Sequence, residues 1–205
     1  MGKEPTKRLF AAVPLPDSIK DTLQHYTAQL RKQLSFHKWV HREDFHITLK
    51  FLGDVRQEQL EGIGPAFQKA AQELTSFSLQ LNGLGSFGPP KSPSILWVGV
   101  KGELEVLQRL HQAVERAVQP YGFAPEDKTF RPHITIARKW NGGPGTRFEL
   151  PSADPAWESA ATGWQSDSFL LYESRLQQLP MYHALQSYPL PSQPSGQQKE
   201  PVSSS

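Results

Sequence analysis

His46-Ile47-Thr48-Leu49 and His133-Ile134-Thr135-Ile136 stand 133 − 46 = 87 residues apart, and the same offset aligns the chain with itself well upstream of them. Leu9 falls on Leu96, Phe10 on Trp97, Val13 on Val100 and Leu23 on Leu110. The two runs therefore belong to an internal duplication. Each copy reads as a short apolar strand, a helical stretch and a strand carrying the run. A pseudo-twofold axis is expected to bring the two run-bearing strands face to face, with both imidazoles in one cleft.

The elements around the first run follow from local signals. An apolar strand over 9–13 stops at Pro14 and Pro16, and Asp17 or Ser18 can cap a helix whose stripe is Ile19, Leu23, Tyr26, Leu30 and Leu34. That segment is expected to end near Ser35. The strand over 45–52 stops at Gly53, and Leu60, Ile63, Phe67, Ala70 and Leu74 then mark a second helix, disturbed by Pro65. A strand over 77–81 precedes the second copy. That copy has a strand over 95–100, a helix on Leu107, Leu110, Val114 and Ala117, and the second run in a strand over 133–137. Gly142, Gly143, Pro144 and Gly145 open a loop-rich stretch in which the duplication fades, and 168–172 and 183–188 read as closing strands. Residues 1–190 are expected to form one domain of two lobes. Residues 191–205, rich in Pro, Ser, Gln and charge, are expected to be a disordered tail.

Strand geometry sorts the residues of the runs. With a period of two, His46, Thr48 and Lys50 share one face, and Ile47, Leu49 and Phe51 share the face that packs on helices. In the second copy Arg131, His133 and Thr135 take the polar face, and Ile134 and Ile136 the core face. Each lobe then offers an imidazole, a hydroxyl and a cation to the cleft. An imidazole of ordinary pKa, ~6.5, both takes and gives protons near neutral pH. With a phosphodiester between two of them, one can deprotonate attacking water while the other protonates the departing oxygen, the threonine hydroxyls holding non-bridging oxygens. No metal is required by that chemistry. A lone His-x-Thr in a strand is commonplace, and threonine favours strands for its own reasons. Two such units in register with a repeat carry the functional reading. His25, His37, His111 and His183 lack any partner pattern and read as surface or helix-face residues.

Composition narrows the classes. The chain has 205 residues, 20% of them charged, and a formal net charge of +2, so a polyanionic partner is allowed but not demanded. Cysteine is absent, which excludes disulfides, thiolate nucleophiles and cysteine metal sites and fits a reducing, cytoplasmic location. The charged start, Met1 to Arg8, leads into only a short apolar stretch, too short for a signal-peptide core or a membrane span. Gly83-Leu84-Gly85-Ser86-Phe87-Gly88 matches a dinucleotide-binding pattern, but Pro89 and Pro90 stand where the phosphate-binding helix should begin, so it reads as a turn. There is no G-x-x-x-x-G-K-[ST] loop for ATP, no H-x-x-x-H on a helix for a metal, and no Asp or Glu interleaved in the runs, so neither cofactor nor metal is expected.

The paired H-I-T-L and H-I-T-I strands, with K-F-L-G after the first and R-P before and A-R after the second, resemble the two-histidine phosphoesterase superfamily. R-L-F-A-A-V-P-L-P near the start and Y-H-A-L-Q-S-Y-P-L near the end narrow the resemblance to the RNA 2′,3′-cyclic phosphodiesterases, historically called 2′-5′ RNA ligases, over residues 8–190. The resemblance implies a bilobal α+β fold with two antiparallel sheets lining a central cleft and helices outside. It implies hydrolysis of a 2′,3′-cyclic phosphate at an RNA end to a 2′-phosphate. Carried over, His46 is the proton donor to the leaving oxygen and His133 the acceptor from water, with Thr48 and Thr135 as phosphate ligands. Arg131 and Arg138 also match as substrate-binding residues, although Arg138 has core-face parity unless its strand bends at Ala137. His41 stands where a less ionisable residue is expected.

The RNA is expected to be a short terminal segment, bound by a monomer, with Phe51, Trp140 and Tyr172 as candidates for base stacking. Two other classes stay open. One is a sister enzyme acting on a small cyclic nucleotide or running the reverse 2′-5′ joining reaction. The other is an RNA-end binder without turnover, against which the intact histidines and threonines argue.

Overall fold

The two copies place their strands in one curled, antiparallel sheet. A computed structural model describes residues 5–142, 146–151 and 162–193. In chain order its elements are β1 (Thr6–Pro14), α1 (Asp17–Leu30), β2 (Phe36–Trp39), β3 (His46–Arg56), α2 (Gln57–Ala71), β4 (Phe77–Phe87), β5 (Ile95–Gly102), α3 (Leu104–Val118), β6 (His133–Trp140), β7 (Gly163–Ser166), β8 (Ser168–Ser174) and β9 (Tyr182–Pro189). The sheet order is β7-β4-β5-β6-β3-β1-β8-β9, with β2 also on β6. The two expected sheets are its halves, β9-β8-β1-β3 and β6-β5-β4-β7. They join where Ile47 pairs with Ile134, the central apolar residues of the two runs.

The repeat is visible in the elements: α1 and α3 begin 104 − 17 = 87 residues apart, as do β3 and β6. Asp17 in the first turn of α1 favours its positive end, and Ile19, Leu23, Tyr26 and Leu30 bury one stripe. The helix stops at Leu30, and the next residues form a turn into β2, an element the sequence reading missed. α2 runs unbroken through Pro65, which lies on its exposed face. It is capped at Arg56, whose N–H donates to the Gln59 side chain (3.1 Å). α2 and α3 pack on each other and, between them, on β3, β4 and β9.

The glycine-rich stretch expected to turn instead continues β4 to Phe87. Gly83 takes the left-handed φ of 59° at a bulge, and Gly85 leaves room for the Trp97 ring. Residues 191–193 are tied to the fold through Ser76: its N–H donates to the Pro191 carbonyl (2.8 Å), and Gln193 donates to its carbonyl (2.9 Å). The rest of the expected tail, Gly143 to Gly145 and the first four residues lie outside the described residues.

Bulges at equivalent places correct the strict alternation. Ala11 faces Lys50 but Ala12 faces Thr48, so Leu49 is an extra residue in β3. Leu96 faces Ala137 but Trp97 faces Thr135, so Ile136 is an extra residue in β6, again 87 positions on. Beyond each bulge the faces exchange. Lys50, expected in the cleft, is buried in the core. Phe51, expected in the core, is 57% exposed. Arg138, its equivalent in the second copy, turns to the cleft side by the bend its parity required.

Candidate active site

Both histidines are held in the same way. His46 donates Nδ1–H to the Asp44 carbonyl (2.7 Å), and His133 donates Nδ1–H to the Arg131 carbonyl (2.6 Å). A carbonyl can only accept, so each ring carries its proton on Nδ1 and keeps an Nε2 lone pair. His46 Nε2 lies 3.0 Å from Thr48 Oγ1, whose hydroxyl donates to it. The rings also have equivalent surroundings. His46 meets Phe10 at 4.9 Å, and His133 meets the repeat mate of Phe10, Trp97, at 6.0 Å. Tyr182 stands edge-on to His46 (5.1 Å, 86°), and Phe87 edge-on to His133 (4.9 Å, 86°).

These walls set the electrostatics. Burial pushes His46 down to about 4, helped by the positive Arg138 and by His133, against the opposing hydrogen bond to Asp44. Burial also lowers His133, the Arg131 carbonyl opposes, and Arg138 adds to the lowering. Burial also raises the Tyr182 phenol, and the positive Arg138 beside it opposes that rise. Burial holds Tyr172 up at about 12, so it stays a neutral phenol beside His46.

A cleft of about 740 Å³ opens on this site. Thr48, Arg131 and His133 line it, with Phe51 and Phe130 as aromatic walls. His46, Thr135 and Arg138 do not line that cavity. The Arg138 charge nevertheless acts on both histidines, and that of His133 on His46, while Thr135 lies one strand step from His133, on its face. His41 Nδ1 accepts from the Glu43 N–H (3.3 Å) and caps the turn before β3. Trp140 packs with Phe36 and Phe148, away from any cleft role. Tyr172 stacks on Phe10 (5.2 Å, 13°).

Sequence reasoning missed His111. It is 8% exposed, lines the cleft, donates Nδ1–H to the Leu49 carbonyl (2.9 Å) and lies parallel to Phe130 (4.1 Å, 6°). The only available signal was its place on the buried side of the α3 stripe, one residue after Leu110. Among the described residues no three His, Cys, Asp or Glu side chains group to hold a metal, and no helix is long and apolar enough to cross a membrane.

Comparison with known proteins matches the family model of LigT-like phosphoesterases twice, over residues 13–97 and 98–182, one match per copy of the repeat. An RNA 2′,3′-cyclic phosphodiesterase of Geobacillus stearothermophilus is 37% identical over 191 residues, 93% of this chain. The match spans only 60% of that relative's length. One of Bacillus subtilis is 32% identical over 181 residues, 88% of this chain and 95% of the relative. The fold is similar to that in a crystal structure of E. coli LigT complexed with 3′-AMP, with TM-score 0.74, 23% identity, and 91% and 99% of the two chains covered.

Proposed function

Because the chain belongs to the LigT-like phosphoesterase family, we propose that it hydrolyses the 2′,3′-cyclic phosphate at RNA ends to a 2′-phosphate without a metal, using His46 as proton donor and His133 as proton acceptor. The observation that carries this reading is the matched anchoring of the two imidazoles through Nδ1, which keeps the Nε2 lone pair of each as the proton-transfer position, that of His46 accepting from Thr48 until substrate binds.

In the proposed reaction, water attacks phosphorus and gives its proton to His133 Nε2 as the new P–O bond forms. The P–O3′ bond breaks on the opposite side, and O3′ takes the proton from His46 Nε2. A 2′-phosphate and a free 3′-hydroxyl result. Thr48, Thr135 and Arg138 bind the phosphate oxygens, so charge gathering there meets donors already in place. His46, neutral in the empty site, takes up its proton when the anionic phosphate arrives, since a nearby negative charge favours the imidazolium. Phe51 and Arg131 offer the terminal nucleotide a ring face and a cation in the cleft. The same reading places one two-lobed domain over residues 1–190, acting as a monomer in the cytoplasm, where a chain without cysteine needs no oxidising environment.

The test is hydrolysis of a short RNA ending in 2′,3′-cyclic phosphate, in excess EDTA, with product isomers resolved by ³¹P NMR and small cyclic nucleotides run in parallel. A 2′-phosphate product is expected, with turnover reduced at least about a hundredfold in both His46→Ala and His133→Ala. Binding of the RNA without turnover would replace this reading with end binding. Turnover of the mononucleotides alone would move the substrate to small cyclic nucleotides.

A further inference from the structure

One wall of the cleft, residues 123–132, has neither helix nor strand, and yet it delivers Arg131 and leads straight into His133. Buried polar groups hold it. Lys50 Nζ, on a residue only 3% exposed, donates to the Ala124 carbonyl (2.7 Å) and to Glu115 Oε1 (2.6 Å). The Glu115 carboxylate, also buried, accepts the Glu126 N–H at both oxygens (3.3 and 3.2 Å). One turn earlier on α3, His111 spans from the Leu49 carbonyl at the β3 bulge to the face of Phe130.

The repeat shows that the duplicated frame does not need these groups. Eighty-seven positions away, Lys50 answers to Ala137 and Glu115 to Ala28, while His111 answers to Gln24. The stretch equivalent to 123–132 is 36–45, which contains β2 and obtains backbone partners by pairing with β6. The second copy has no such strand, and the same backbone groups find Lys50 and Glu115 instead. An ion pair kept in a core usually costs more in desolvation than apolar packing would, so its retention where it grips a binding wall calls for a role there.

We propose that Lys50, Glu115 and His111 are positioning residues that hold the 123–132 wall in its substrate-binding form and so set the place of the Arg131 side chain, His133 being held separately by its strand β6. This rests on the cyclic phosphodiesterase reading for its kinetic consequence only. Loss of one charge-assisted contact from a displaced Arg131 is enough to weaken binding by about an order of magnitude.

The test combines amide hydrogen exchange of the substrate-free protein with calorimetric binding of adenosine 2′-phosphate, neither of which needs turnover, and with KM and kcat on a cyclic mononucleotide. The variants are Glu115→Gln, Lys50→Arg, His111→Leu, and Lys50→Met combined with Glu115→Leu, which refills the core without charge. Faster exchange confined to 123–132, about tenfold weaker nucleotide binding and a raised KM with kcat changed by less than about threefold are expected, with Lys50→Arg partly restoring binding. Unchanged exchange in 123–132, or faster exchange with unchanged nucleotide affinity, would overturn the proposal. Absence of turnover in the unaltered protein would count against the phosphodiesterase reading alone.

Discussion

His46 and His133 each commit Nδ1–H to a backbone carbonyl, so what either can do with a proton at Nε2 depends on its surroundings. Burial and the Arg138 charge lower both, His46 to about 4. A pair that works as one acid and one base is most active between its two pKa values, when one proton is shared over the two rings. Since both lie below the ordinary value, kcat/KM, which reports the free enzyme, is expected to peak below pH ~6.5. The kcat profile, which reports the complex, is expected to peak at higher pH because the bound phosphate raises both groups. A kcat/KM optimum above pH 7 would contradict the geometry. The same shift acts on folding. Above pH ~6.5 the His46 ring is neutral both folded and unfolded and contributes no pH dependence. As pH falls from there toward 4, the unfolded chain binds a proton that the folded site refuses, and stability is lost over that window. His46→Gln removes this loss, so its melting temperature should fall less between pH 7 and pH 4.5 than that of the unaltered protein. Equal falls would mean that His46 titrates normally.

At the scale of elements, the two bulges decide which side chains reach the site, and they separate what the sequence discloses from what it hides. The repeat offset, the facing of His46, Thr48, His133 and Thr135, and the apolar partners Ile47 and Ile134 are all legible, because a period of two holds from the start of each strand. It fails after Leu49 and Ile136, where one extra residue leaves no mark in an apolar-polar pattern. The partners that make Lys50 a core residue are 65 residues away at Glu115 and 74 away at Ala124, and no local signal announces them. Sequence parity and structure therefore make opposite predictions. Were Phe51 in the core, Phe51→Ala would cost about 3–5 kcal/mol of stability. As an exposed cleft residue it should change stability by less than about 0.5 kcal/mol. Loss of base stacking worth about 1–3 kcal/mol should instead weaken nucleotide binding roughly 5- to 150-fold. Lys50→Ala should do the reverse of a surface change and cost about 3–5 kcal/mol, because it strands the buried Glu115. Urea denaturation of the two variants, with calorimetric binding for the first, decides the matter. A destabilised Phe51→Ala beside an unaffected Lys50→Ala would mean the bulge is absent in solution.

At the scale of the molecule, the duplication gives two half-sheets with one histidine each, and in the proposed reaction both act on one phosphate, which makes the joint between the halves part of that geometry. Among the described strands, β3 and β6 meet through the single pairing of Ile47 with Ile134, both fully buried, each lying between the histidine and threonine of its run. Removing either side chain opens a cavity at the seam, and Ile→Ala there should cost about 2–5 kcal/mol. The two cavities would be one shared space, so the second truncation removes contacts the first has already broken. The Ile47→Ala, Ile134→Ala double variant should therefore be less destabilised than the sum of the single variants, by about 0.5–3 kcal/mol. Conservative Ile→Val changes, at about 0.5–1.5 kcal/mol each, keep the fold populated for kinetics. If the seam sets the distance between the two imidazoles, those milder variants should lower kcat more than they raise KM, since reaching both sides of phosphorus at once matters most in the transition state. Additivity within about 0.3–0.5 kcal/mol, together with unchanged kcat, would show instead that the two lobes hold their histidines independently and that the seam serves only to close the core.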